Sequence, residues 1–143
     1  MRKSFVYFGG AFMLVLGLWI AVLQAGDKKK MMMKAQTIEG TLVDSKCYAM
    51  GGFLTNDHMS MDGKKLPGCG AACAAMGIPV ALVDKDNNVI MLAVPAAEYS
   101  KYMAQNLRFT GMYGKHAHVF IPEKLEVKEN GKWVRKELPG TMM

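Results

Sequence analysis

Between residues 47 and 78 the chain places Cys47, Tyr48, Met50, His58, Met59, Met61, Cys69 and Cys73 in a stretch rich in glycine and poor in core-forming residues. Thiolate, imidazole and thioether are the side chains that bind soft metal ions. Two thiols can alternatively join as a disulfide, the usual state in an exported domain. The candidate ligands are Cys47, His58, Cys69 and Cys73, with Met59 and Met61 as substitutes for one of them. All 3 cysteines of the chain fall here, and an odd number leaves one thiol over once a single disulfide forms.

Spacing narrows the arrangement. Cys69-Gly-Ala-Ala-Cys73 follows Pro67-Gly68 and runs through alanines to Gly77 and Pro79. That pattern predicts a short helix with a glycine cap at its C-terminal end. Four residues apart, Cys69 and Cys73 share a helical face, where their Cβ vectors run parallel and suit a mutual disulfide poorly. Both can converge on a third group instead, and near a helix N-terminus their thiolates form more readily. That third group is Cys47, through a disulfide to one of the pair, or a metal ion held by Cys47, His58 and both helical thiols. Three cysteines and one histidine are a zinc ligand set. His58-Met59-Ser60-Met61 turns the preference toward copper, because zinc makes little use of thioethers. Methionine enrichment beside a Cys/His cluster in an exported chain resembles periplasmic copper proteins, some of which are small OB-like barrels. Copper is therefore the expected ion, with zinc, or no metal and a disulfide, as alternatives.

Other chemistry finds little footing. There is no Cys-x-x-Cys pair, no glycine-rich phosphate loop, no Gly-x-Ser-x-Gly elbow and no acid/base couple of carboxylates. The expectation is a protein without catalytic activity. His116 and His118, two apart on an expected strand, share a side and could hold a second ion, but read more simply as exposed hairpin residues.

The elements that would position these residues are mostly strands. Thr37–Val43 alternates and carries Gly40 where a bent strand needs it. Val80–Val83 and Val89–Leu92 flank an Asp84–Asn88 turn. Pro95 opens a helix in which Tyr99, Tyr102, Met103 and Leu107 recur at helical spacing. Strands follow at Arg108–Tyr113 and His118–Val127, around Gly114-Lys115, and a last pair turns at Glu129-Asn130-Gly131-Lys132. The order of elements, with GTLVD, PVALV and RFTGMYG, resembles small exported OB-fold proteins over residues 37–137. That resemblance implies a mainly β fold: a five- to six-stranded OB-like barrel with one or two short helices and a Cys/His/Met insertion at 47–78. The tethered OB-fold haem chaperones share an anchor and a barrel, but their haem attaches through a histidine in the C-terminal tail. The tail here, Lys132 to Met143, has none.

Ahead of the domain, Phe5 to Leu23 is 19 residues without a charge, about 28 Å of helix and close to the thickness of a bilayer core. Residues 1–25 read as a signal anchor, or as a signal peptide cleaved near Ala25; 26–36 as a basic, Met-rich linker; 138–143 as a tail. Lys28, Lys29, Lys30 and Lys34 follow the span and by count alone would hold its C-terminal side in the cytoplasm. The short basic head and apolar run favour export instead, to the periplasmic side of the inner membrane. From residue 26 onward there are 16 basic and 12 acidic residues, a net charge of +4 that is too dispersed for a nucleic-acid surface. Two functions are expected to compete. One is a tethered soft-metal-binding protein that passes its ion to a metal-receiving protein. The other is a non-catalytic accessory subunit of a larger membrane complex, with a disulfide-stabilised loop and with Gly9, Gly10 and Gly17 allowing close helix approach.

Overall fold

The computed structural model describes residues 34–140. The apolar run Phe5–Leu23 and most of the basic linker lie outside them. Among the described residues no helix is long and apolar enough to cross a membrane. In chain order the elements are β1 (Gln36–Asp44), α1 (Ser45–Gly51), β2 (His58–Met59), β3 (Lys65–Leu66), α2 (Cys69–Ala75), β4 (Val80–Val83), β5 (Val89–Met91), a 3-10 helix (Ala96–Tyr102), β6 (Asn106–Tyr113), β7 (Phe120–Glu129) and β8 (Lys132–Lys136).

Six strands form one antiparallel sheet in the order β5-β4-β1-β6-β7-β8, and β2 and β3 pair separately. The sheet is open, which corrects the barrel expected from the sequence. β7 pairs along Leu125–Glu129 with Lys136–Lys132 of β8, so that edge of β7 is already occupied. β5 is only three residues long and its extension meets β7 at a single parallel bridge, Leu92 to Phe120. The edges approach there without closing.

β1 organises the sheet by pairing with two neighbours. Residues 36–41 pair with β6, and 41–44 pair with β4. At the changeover a Cβ on Gly40 would run into the Val83 carbonyl, so the close approach of the two strands requires glycine. The main core lies on one face, with Leu42, Leu82, Leu107, Phe109, Phe120, Leu125 and Val127 from the strands, Tyr99 and Met103 from around the 3-10 helix, and Ala74 from α2. The alternate residues Val43, Ala81 and Val83 point to the opposite face, where Tyr48 of α1 and Met91 cover them. β4 is therefore buried on both faces, as its unbroken Val-Ala-Leu-Val suggests.

The turns follow their residue types. Asp84 holds the β4–β5 turn by accepting from the Asp86 and Asn88 amides and the Asn88 side chain, while Asn87 adopts φ 62°. Asn130 and Gly131 both have positive φ, the two-residue hairpin expected of Asn-Gly. Two local expectations need correction. The helix after Pro95 is a 3-10 helix that ends at Tyr102, so Leu107 lies in β6. Residues 114–119 form a loop, which places His116 and His118 outside the strands; both are exposed, and His118 stacks on Tyr113 at 5.0 Å.

Candidate metal centre

The site forms where β1 ends. Asp44 is its last residue, 1% exposed, and pairs in register with Val80. The Asp44 side chain caps α1, its Oδ1 accepting from the Cys47 amide at 2.8 Å. The Ser45 amide donates to the Pro79 carbonyl at 2.9 Å and ties the start of α1 to the start of β4. Cys47 is thus fixed one turn beyond a buried carboxylate. α1 covers one face of the sheet through Tyr48, while α2 packs Ala74 into the core on the other. The two helices bring their thiols together at the sheet's end.

α2 is the helix expected from Cys69 and its alanines. It ends with Gly77 at φ 90°, the Ile78 amide donating to the Cys73 carbonyl and the Gly77 amide to Ala74, the glycine-capped ending its sequence predicts. Its N-terminus is held by the loop before β2. Asp57 Oδ1 accepts from the Gly68 amide at 2.9 Å, the Asn56 carbonyl from Gly70 at 3.0 Å, and Asn56 Oδ1 from Ala71 at 2.8 Å. The Gly68 amide and Lys65 together hold the Asp57 carboxyl below the usual carboxylate range. These bonds satisfy amides that every helix start leaves orphaned, and they clamp the segment carrying His58 against the segment carrying both cysteines.

His58 opens β2 and is 3% exposed. Phe53 stacks on its ring at 4.7 Å. Gly70 lies beneath it; a Cβ there would come within 3.4 Å of Nε2 and 2.9 Å of Met103 Cγ, so only glycine admits both side chains at ease. Nε2 donates to the Thr55 carbonyl at 2.9 Å and lies 3.9 Å from Asp44 Oδ2. A carbonyl cannot donate, so this bond puts a proton on Nε2. Nδ1 is buried with no hydrogen-bond partner. A buried polar atom without a partner costs about 1–3 kcal/mol, and an imidazole tethered to a carbonyl through one nitrogen with the other left bare is the usual posture of a metal ligand.

The sulfurs of Cys47, Cys69 and Cys73 all lie within 4.8 Å of one another, and a second set, Asp44, Cys47 and His58, is equally close. Cys47 belongs to both. Its Sγ is 4.0 Å from Cys73 Sγ, and all three cysteines are free thiols. Burial, then the neighbouring Asp44 carboxylate, pushes the Cys47 thiol up to about 12. Burial also raises Cys73, the opposite of the easier ionisation expected from its place on the helix. Forming thiolates here therefore calls for a compensating positive charge, which a metal ion supplies.

Of the residues singled out in the sequence, Cys47, Cys69 and Cys73 thus lie together and could hold a metal ion, whereas His58 groups with Asp44 and Cys47 and reaches that cluster only through Cys47. Met59 is 51% exposed on β2, and Met61 99% exposed in the β2–β3 turn. The sequence reading missed Asp44; its signal was an aspartate at a strand end immediately before a helix start, a capping position. It also missed Asn56 and Asp57, for which no local pattern exists, because they cap a helix a dozen residues further on. Elsewhere, a groove of about 540 Å³ lined by residues including Thr37, Glu39, Asp84, Lys128 and Trp133 contains none of these thiols. Comparison with protein families, characterised proteins and solved structures finds no match to this chain.

Proposed function

We propose that the chain is a non-enzymatic binding protein for a soft metal ion, copper(I) foremost, held by Cys47, Cys69 and Cys73 with His58 as a fourth donor. The observation that carries this reading is the convergence of three free thiols beside a buried imidazole whose Nδ1 has no partner. Thiolate and imidazole together suit copper(I) and zinc, and oxygen-seeking ions such as magnesium and calcium poorly. The uncharged run Phe5–Leu23 behind a short basic head supports a tether in the inner membrane with the domain on the periplasmic side. A metal-receiving protein at that membrane is the partner this reading calls for. The test is metal analysis with a free-thiol count on full-length protein purified without chelators, set against Cys47→Ser. One ion per chain, lost or bound at least tenfold more weakly in the variant, is the expected result. Stoichiometric metal unaffected by the substitution would remove the assignment.

The 4.0 Å between Cys47 and Cys73 sulfurs supports a second reading, a disulfide-stabilised loop on an accessory subunit. Its signature in the same assay is one free thiol, no metal, and a partner that copurifies in mild detergent.

A further inference from the structure

Seven methionines lie among the described residues, and they divide by location. Met91, Met103 and Met112 belong to the sheet and its 3-10 helix and are buried or half-buried. The four in the insertion are exposed: Met50 at 67%, Met59 at 51%, Met61 at 99% and Met76 at 75%. Each sits within three residues of a donor of the metal centre. Met50 follows Cys47 by three on α1, Met76 follows Cys73 by three at the end of α2, and Met59 and Met61 follow His58 by one and three on the β2–β3 hairpin. Within α1, Met50 and Cys47, three apart, share a face. Filling gaps in a core, the ordinary use of methionine, does not account for side chains left this far in water.

Resting on the thiol centre proposed above, we infer that the exposed thioethers of Met50, Met59, Met61 and Met76 serve as outer capture ligands for a soft monovalent cation, copper(I) or silver(I), before it reaches the thiols. A thioether is neutral and carries no proton to displace, so it takes such an ion weakly and reversibly. Passage inward is ligand exchange without electron transfer: sulfur–metal bonds to thioether break, bonds to thiolate form, and each thiol that binds releases its proton to water. Zinc, with little use for thioethers, loads without this step.

The experiment uses full-length protein in detergent, labelled with carbon-13 at the methionine methyls, and silver(I) as the probe. The methyls of residues 50, 59, 61 and 76, assigned by single Met→Leu variants, are expected to shift on titration, and those of 91, 103 and 112 to stay. With all four replaced by leucine, a change that conserves volume, copper(I) transfer from a chromogenic chelator is expected to slow roughly tenfold, about 1.4 kcal/mol in the barrier. Final copper stoichiometry and the rate of cobalt(II) loading should match the wild type. Silent methyls, or an unchanged copper rate in the fourfold variant, would overturn the inference and leave these side chains as an apolar contact surface. Failure of the thiol centre itself reads differently: no metal is retained by the wild type, while the methyl shifts persist even in a triple Cys→Ser variant.

Discussion

His58 separates a structural role from a ligand role. Its ring is buried beneath Phe53, donates through Nε2 to Thr55, and leaves Nδ1 unsatisfied. Phenylalanine of similar shape would keep the stack and remove both nitrogens. The lost hydrogen bond, worth about 1 kcal/mol, and the removed orphan, costing about 1–3 kcal/mol, oppose each other. Metal-free His58→Phe is therefore expected to unfold within about 1 kcal/mol of the wild type, while the rise in Tm on adding metal shrinks markedly. A purely structural histidine gives the reverse pattern, a lower Tm without metal and an unchanged increment with it. Thermal denaturation of both proteins, with and without one equivalent of ion, distinguishes them.

At the scale of elements, what could be read in advance was whatever depends on neighbours in sequence. Val80–Val83, Asn130-Gly131 and the Cys69–Ala75 helix with Gly77 after it carry periodicity, turn residues and a cap within a few positions, and each lies where its residues imply. The order of strand, insertion, hairpin, helix and three further strands was legible for the same reason. What escaped depends on distant pairing. Whether the sheet closes is decided by β8 lying on β7, and whether the insertion needs a metal to be ordered depends on Asn56 and Asp57 bonding to α2. The Asp84 turn offers a test of one local device. Bonds from the side chain of Asn88 and the amides of Asn88 and Asp86 hold the Asp84 carboxyl below its ordinary value of 3.8. A carboxyl depressed in the folded state adds stability above its unfolded pKa, and that contribution fades as pH falls through the folded value. Wild type should therefore exceed Asp84→Ala in Tm by a constant margin above about pH 5, narrowing toward pH 3. A margin that does not vary with pH would mean the turn draws nothing from the charge.

Taken as a whole, the chain joins a sheet with a continuous apolar core to an insertion built largely from polar caps and short elements. Leu42, Leu82, Phe109 and Leu125 are fully buried in a core cluster that contains none of the three cysteines. In the insertion α1 contributes Tyr48 to the smaller cluster, α2 contributes Ala74 to the main core, and the β2–β3 hairpin has two residue pairs. Segments with so little buried apolar area open locally at free energies well below global unfolding. A metal bound to Cys47, His58, Cys69 and Cys73 would cross-link three of these segments and should raise their opening free energy toward that of the sheet. Hydrogen exchange resolves the two parts. On loading, amides of α1 and of residues 55–66 are expected to slow by about two decades at 100 times the dissociation constant, the mass-action equivalent of about 2.7 kcal/mol. Amides of β1, β4 and β6 should change far less, because the sheet already packs on an apolar core of its own. Equal slowing everywhere would instead mean that insertion and sheet unfold as one unit, and no slowing in the insertion would mean that the ion does not bridge it.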